Sequence, residues 1–313
     1  MKGVVIKSTG SWYDVVLVET KEVIACRIKG KFRLDGMKLT NPVAVGDEVI
    51  IEQVSNDYQI KEILPRKNYV VRQSPRKKHS LHILASNVDQ VLLIVSIASP
   101  KLKQGFIDRF LLMTEPYDIP VIIVFNKFDI YDMEDIGVYE YLKEMYESIG
   151  YEVCCTSAIE KKGLGFITKR ITDKTTLVAG QSGVGKSSLV NALDIGVSLR
   201  THEISDYTGK GQHTTTFAEM FEIKIGGQLI DTPGIKNLSF NHLDIMDVAH
   251  NFREFFAVAN ECKYNDCTHR NEPKCAVLQA VEDEKISDLR YQNYIQILRE
   301  IEDQNYWELN TEF

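Results

Sequence analysis

The order of apolar and polar positions divides the chain into three stretches. Over residues 1–65 the apolar residues come in short β-branched and aromatic runs, at 3–8, 12–18, 22–28, 43–51 and 58–64. Runs of this length, broken by turn residues such as Gly46-Asp47, read as strands. Strands this short and closely spaced predict a small closed barrel of the OB-fold type. From about 81 to 240 the pattern changes. Continuously apolar runs at 88–96, 120–125, 151–155 and 175–179 alternate with helical spacing at 106–115 and 139–149 and with a helix opening at 188. Strands apolar on both faces belong to a parallel sheet covered by helices, so this stretch is α/β. Residues 217–225 and 228–230 read as a hairpin around Gly226-Gly227. From 241 onward the spacing is helical, at 247–260 and 276–304, the latter with Leu278, Val281, Ile286, Leu289, Tyr294, Ile295, Leu298 and Ile301 facing inward. Residues 307–313 are expected to be poorly ordered.

Composition adds little to this picture, but charge adds something. The chain has 313 residues and a net charge of −7, which argues against a wholly basic nucleic-acid binder. No apolar run approaches the ~18 residues of a membrane span, and no signal peptide is evident, so a cytoplasmic protein is expected. One segment departs from the acidic average. Residues 65–80 carry Arg66, Lys67, Arg72, Arg76, Lys77 and Lys78 and no acid. Bracketed by Pro65 and Pro75, it reads as a linker over 66–80, either a solvated strap or a run lying along a phosphate backbone. The loop Lys29-Gly30-Lys31-Phe32-Arg33 is equally open: Phe32 could stack a base or pack inward.

The stretch Gly180-Gln181-Ser182-Gly183-Val184-Gly185-Lys186-Ser187 matches the phosphate-binding loop G-x-x-x-x-G-K-[ST], between a buried strand and a helix that begins near Ser188. Glycines let the backbone approach phosphate oxygens and present N–H groups to them. Lys186 would reach the β- and γ-phosphates, and the Ser187 hydroxyl would hold Mg²⁺. The apolar strand at 120–125 ends in Asn126-Lys127-Phe128-Asp129. There the Asp129 carboxylate can accept from both N1–H and the N2 amine of guanine, a donor pair that adenine lacks. Lys127 would lie over the base and Asn126 would brace the loop. Thr156-Ser157-Ala158 follows the next strand and is the loose second guanine contact, with the Ala158 N–H toward O6. Asp231-Thr232-Pro233-Gly234 is a D-x-x-G motif, with Asp231 near Mg²⁺ and the Gly234 N–H near the γ-phosphate. The stretch 209–216 suits a switch loop, in which one threonine hydroxyl of Thr214, Thr215 and Thr216, with Thr215 the leading candidate, would complete the Mg²⁺ shell. Ile235 follows D-x-x-G where many such enzymes orient water with glutamine. His213 is therefore the candidate catalytic substitute beside Lys186, the alternative being a structural loop histidine.

The motifs come in an unusual order: the base-reading pair precedes the phosphate loop, the switch loop and D-x-x-G. A circular permutation accounts for it, as tolerated where termini lie close together. Farther on, Cys262-x₄-Cys267-x-His269-x₅-Cys275 offers three thiolates and one imidazole, the set of a closed, structural Zn²⁺ site. Cys26, Cys154 and Cys155 lack such partners and read as small buried residues.

Barrel, permuted nucleotide-binding unit and C-x₄-C-x-H-x₅-C module together resemble the RsgA/YjeQ family along the whole chain, and Gly211-Gln212-His213-Thr214-Thr215 and Ile235 add to the likeness. The resemblance implies a multidomain protein: an OB-fold-like barrel at 1–65, a basic linker at 66–80, a circularly permuted P-loop GTPase domain at 81–240 and a helical zinc-binding domain at 241–313. It implies GTP hydrolysis to GDP stimulated by the small ribosomal subunit, contacts to rRNA, a role late in small-subunit maturation, a part for His213 on the ribosome, and a monomer. A GTP-dependent signalling switch whose barrel binds protein is the competing reading. A small-molecule kinase is disfavoured by Asn126-Lys127-Phe128-Asp129.

Overall fold

The computed structural model describes residues 1–28, 39–73, 81–197, 199, 218–232, 234 and 243–309, with side chains described to 303 and those of 72 and 73 excepted. Strands β1 (Lys2–Ser8), β2 (Tyr13–Leu17), β3 (Val23–Ile28), β4 (Glu48–Val54) and β5 (Asp57–Ile63) pair in the order β1-β2-β3-β5-β4, and β4 returns to β1. The ring closes, as in an OB-fold barrel, and removes the sheet edges a flat sheet would expose. Alternate residues Val5, Tyr13, Val15, Leu17, Val49, Ile51 and Ile60 fill its interior.

β6 (Tyr69–Gln73) and β7 (Leu81–Ser86) form a separate antiparallel hairpin, which corrects the linker expectation for 69–73. Arg66 is also not a free basic group. It is clamped onto buried Asp47 by Nε and Nη2, each 2.6 Å from a carboxylate oxygen, and donates to Pro42 O. Lys67 pairs with Asp89 at 2.9 Å. Periodicity missed β6 because a strand paired only on one side needs no continuous apolar run.

The second unit is built on β8 (Gln90–Val95), α1 (Phe106–Leu111), β9 (Val121–Phe125), α2 (Met133–Ser148), β10 (Glu152–Cys155), α3 (Leu164–Ile171), β11 (Lys174–Gly180), α4 (Lys186–Ala192), β12 (Glu219–Glu222) and β13 (Gly227–Asp231). The sheet order is β10-β9-β8-β11-β13-β12, parallel except for β12. The phosphate-loop strand β11 sits centrally between β8, which precedes it by a whole βαβ unit and more, and β13, which follows it. The chain thus enters at β8 and runs out to the β10 edge before returning to β11 and then β13, which is the permutation expected from motif order. α2 starts earlier than its apolar pattern suggested. Asp132 caps it, accepting from the Glu134 and Asp135 amides in a reciprocal capping box, so a polar first turn is stable. α3 was not anticipated; it is short, and only Ile167 and Ile171 of its residues are buried.

The barrel sheet and the parallel sheet are joined. β1 pairs with β12 at Lys7↔Glu219, and Lys7 Nζ lies 3.1 Å from Glu219 Oε1. The last stretch forms α5 (Ile245–His250), α6 (Arg253–Ala259), α7 (Ala276–Glu282) and α8 (Asp288–Leu309). The single helix expected over 247–260 is broken between α5 and α6. The tail expectation is corrected for 307–309, which are helical; 310–313 lie outside the described residues.

Candidate functional site: a nucleotide cleft and a thiol cluster

The phosphate loop leaves β11 at Gly180, whose φ of 148° and close approach to Ile94 O admit no side chain: a Cβ there would stand 2.1 Å from that carbonyl. Gly185 (φ 88°) begins α4 and lies against Asn126, where a Cβ would meet Nδ2 at 2.6 Å. These glycines are required by conformation and by contact. Gly183, also at positive φ, completes the turn, and Val184 packs beneath it, fully buried. Ser187 and Ser188 follow in the first turn of α4. Gln181 Oε1 is buried without a hydrogen-bond partner.

Lys186 is only 5% exposed, and its Nζ donates to Gly180 O (3.1 Å) and Gln181 O (2.9 Å). The ammonium is thus folded onto the carbonyls of its own loop. Burial lowers its pKa to about 8, against the attraction of Asp231. A phosphate oxygen would relieve that burial cost, so the loop fits the ligand its motif implies.

Asn126 ties the two halves of the cleft together. Its Nδ2 donates to Val184 O (2.9 Å) in the phosphate loop, and its Oδ1 accepts from the Thr156 hydroxyl (3.0 Å). Asn126 thus bridges the phosphate loop and the loop at 156 by two hydrogen bonds. Asp129 accepts from Ser157 Oγ at 2.5 Å, which fixes one oxygen of the carboxylate expected to read the base. Lys127 adopts left-handed φ (65°), and its partial burial depresses its pKa against the attraction of Asp129. Phe128 packs against Tyr131 and Tyr139, and Ala158 is partly buried beside the Ser157–Lys162 bridge. Two side-chain roles in the cleft were not foreseen: that of Thr156, within the second base-contact motif, and that of Tyr131. Thr156 orients Asn126, and Tyr131 accepts from the Ile97 amide while donating to Asn126 O. Neither role has a sequence signature beyond the residue's place in or near a motif.

On the γ-phosphate side, Asp231 ends β13 in register with Val178, is 2% exposed, and is followed by Thr232, whose hydroxyl donates to Val178 O (2.9 Å). Gly234 lies on the phosphate loop, where a Cβ would meet Ser182 backbone atoms at 3.0 Å. The glycine of D-x-x-G is thus packed against the loop, where a side chain at this position would require Ser182 to give way by a few tenths of an ångström. His213, Thr214, Thr215, Thr216 and Ile235 lie outside the described residues.

Cys262, Cys267, His269 and Cys275 form the second site. Their ligand atoms all lie within 4.8 Å of one another. Cys262 Sγ stands 3.7 Å from His269 Nδ1 and 4.0 Å from Cys275 Sγ, and Cys275 Sγ stands 3.4 Å from Nδ1. A tetrahedron with bonds of about 2.3 Å to sulfur and 2.0 Å to nitrogen has edges of about 3.5–3.8 Å, close to these three separations, so the four residues could hold a metal ion. Burial pushes the Cys267 thiol up to about 12, reinforced by Cys275 and Cys262. Burial also lowers the His269 pKa, against the nearby Glu272 carboxylate, and so favours the neutral ring. A dication among these groups would replace the thiol protons and use the imidazole as it stands.

The loop that carries His269 is organised by Glu272, which sequence reading passed over. Its carboxylate accepts from the Thr268 amide and hydroxyl, from the Arg270 amide and from the Asn271 amide. Burial opposes its charge, but these bonds outweigh it and bring the pKa to about 2. Tyr294 and Tyr291 on α8 donate to Thr268 O and His269 O. The module is fastened to the parallel-sheet unit by a buried polar cluster. Asp108 of α1 accepts from Arg290 Nη1 (2.6 Å), Asn293 Nδ2 and Tyr146 Oη (2.6 Å), and Arg290 also donates to Glu254 (2.7 and 3.0 Å). Burial works against the Arg290 cation, but Asp108 and Glu254 outweigh it and hold its pKa above the ordinary value.

A parallel sheet with a glycine-lined phosphate loop, an N-K-x-D loop bonded to it, and a D-x-x-G strand end packed on it defines a circularly permuted P-loop GTPase. The chain belongs to the RsgA GTPase family: that family's model matches residues 63–241, and the RsgA N-terminal domain model matches 2–59. It is 45% identical to the small ribosomal subunit biogenesis GTPase RsgA of Bacteroides fragilis (strain YCH46), over 98% of this chain and 99% of that protein. It is 44% identical to the protein of that name from Christiangramia forsetii (strain DSM 17595 / CGMCC 1.15422 / KT0803), over 98% of each chain. Among solved structures, YjeQ from Thermotoga maritima superposes with a TM-score of 0.74 at 33% identity, covering 96% of this chain and 98% of that one. YloQ, described as a circularly permuted GTPase, gives 0.70 at 32% identity, covering 97% and 95%.

Proposed function

We propose that this chain binds GTP in the cleft between residues 126–129, 156–158 and 180–188 and hydrolyses it to GDP and phosphate during maturation of the small ribosomal subunit. The observation that carries the nucleotide reading is the Asn126 side chain, bonded at once to the phosphate loop and to the base-contact loop. A site built this way takes base and phosphates as one ligand. Asp129, held by Ser157, reads the guanine N1–H and N2 amine, and the Ala158 amide meets O6. The amides of 180–188 and Lys186 take the β- and γ-phosphates, and the Gly234 amide meets the γ-phosphate. Mg²⁺ would be held by the Ser187 and Thr215 hydroxyls, with Asp231 behind them, and supplies charge neutralisation at the phosphate oxygens. His213 orients the attacking water, because Ile235 cannot.

The ribosomal half of the proposal rests on relatives named for small-subunit biogenesis that match this chain from barrel to thiol module. In this reading the four-ligand cluster holds a structural Zn²⁺ and the protein acts as a cytoplasmic monomer. Its units are the barrel at 1–65, the GTPase unit at 81–240 and the zinc-binding unit at 241–313. The barrel loop 29–33 and Arg76, Lys77 and Lys78, all outside the described residues, meet rRNA phosphates. The deciding experiment measures GTP turnover by the metal-loaded protein with and without purified small subunits. Strong stimulation supports the proposal; turnover unchanged by subunits favours a switch acting elsewhere.

A further inference from the structure

A cavity of about 420 Å³ opens between the loop after His269 and the side of α8, lined by Arg270, Asn271, Tyr291, Ile295, Arg299 and Glu302. It lies in the C-terminal module, and none of its lining residues belongs to the nucleotide cleft. Four of these residues, at 291, 295, 299 and 302, recur at helical spacing and form one stripe of α8. The neighbouring stripe, Tyr294, Ile297, Leu298 and Ile301, is buried in the core; the cavity stripe borders it, with Tyr291, Ile295 and Glu302 half-buried and Arg299 exposed.

The lining is chemically uneven. Two guanidiniums face a single carboxylate, in a region where acids otherwise outnumber bases. Arg270 is only partly satisfied by that carboxylate. Its Nη1 donates to Glu302 Oε2 at 3.1 Å, while Nη2 lies 2.9 Å from Oε1 without the alignment of a hydrogen bond. Its buried Nε has no acceptor. Arg299 is exposed on the same rim. Tyr291 supplies a flat ring whose tilt is fixed, because its hydroxyl donates to His269 O at 3.0 Å, and Ile295 continues the apolar wall one turn on. A forked cation, a second cation, a fixed aromatic face and an amide side chain in a cavity of this size match one kind of ligand: a planar base carrying a phosphate.

We propose that this cavity binds a phosphorylated nucleoside, its phosphate on Arg270 and Arg299 and its base against Tyr291 and Ile295. Glu302 occupies part of the anion position and competes with the phosphate, so it sets how tightly the ligand is held. The ligand is either a free mononucleotide or one nucleotide of a single-stranded RNA; the recognised chemistry is the same.

The test uses full-length, metal-loaded protein with one equivalent of GDP, so that the guanine cleft is filled and no free GDP is left to compete for the cavity. The probe is 3′-labelled hexa-adenylate, read by fluorescence anisotropy, with AMP and adenosine as competitors. The proposal expects Arg299→Ala to weaken the probe by about tenfold, the loss of one charge-assisted phosphate contact. Glu302→Gln is expected to tighten it several-fold, the opposite direction from a structural lesion. Both sites are at least partly exposed, so neither substitution removes core packing. AMP competing well identifies a free nucleotide as sufficient; AMP failing while the hexamer binds identifies the strand. Adenosine competing as well as AMP, no probe binding, or equal binding by wild type and Arg299→Ala overturns the proposal.

Discussion

Replacing Arg290 by methionine is the sharpest test of how the C-terminal module is attached. Arg290 is 2% exposed and bridges Asp108, which is fully buried, to Glu254. Methionine keeps the length of the side chain but removes three charge-assisted contacts, one to Asp108 and two to Glu254. What it leaves decides the size of the effect. Asp108 retains Tyr146 and Asn293 as donors but loses its only cation among the described residues, so it becomes a buried, uncompensated charge. Breaking such a pair from one side costs about 3–5 kcal/mol. For a chain of this size that is a fall in melting temperature of roughly 5–15 °C. The double variant Asp108→Asn/Arg290→Met removes the stranded charge, while Asn can still accept from Tyr146. It is therefore expected to be clearly more stable than Arg290→Met alone, by about 1–3 kcal/mol. Thermal unfolding followed by circular dichroism gives the first number. Hydrogen exchange of α8 amides shows whether the loss is at the module junction. The reasoning is refuted if Arg290→Met shifts stability by less than ~1 kcal/mol, or if the double variant is less stable than the single.

Further outcomes follow from the two sites. Lys186, with its pKa lowered to about 8 by burial, loses its proton in the free cleft well below its ordinary value. Between about pH 8 and 10.5 the unfolded chain therefore binds more protons than the folded one, and stability rises with pH through that window. Phosphate contact raises the Lys186 pKa again, so nucleotide binding near pH 9 should take up close to one proton, measurable by calorimetry in buffers of different ionisation enthalpy; no uptake rejects the buried-lysine account. Glu272→Gln removes the carboxylate that gathers the His269 loop and is expected to lower Zn²⁺ affinity about 10–100-fold, read by competition with a chromogenic chelator. The depressed Glu272 pKa of about 2 adds stability that is complete above its ordinary value near 4.5 and drains away as pH falls toward 2. Asp129→Asn keeps the bond to Ser157 within reach but loses the double acceptor, and GTP affinity should drop at least about 100-fold while xanthosine triphosphate gains; equal losses for both nucleotides would point to a collapsed loop.

Residue types and short spacing alone determined a good deal here. The phosphate loop, Asn126-Lys127-Phe128-Asp129, Asp231-Thr232-Pro233-Gly234 and the Cys/His set were legible because each is a local chemical requirement: glycine where a Cβ would strike Ile94 O, paired acceptors for guanine, four soft ligands at short intervals. Their order along the chain was enough to imply the permuted sheet, and alternating apolar residues were enough to imply the barrel. Tertiary structure alone decided which polar residues carry weight. Arg66 stands in a basic run yet is spent on Asp47, and Arg290 looks like one charge in an acidic helix yet meets Asp108 across 182 positions. Glu272 gathers its loop, and Thr156 and Tyr131 orient Asn126, through bonds that depend on how the backbone turns. The Lys7–Glu219 junction, 212 residues apart, likewise has no trace in either segment's pattern. The reason is physical. Periodicity reports which side of an element avoids water, but a polar side chain's partner is chosen by whichever distant element packs opposite it.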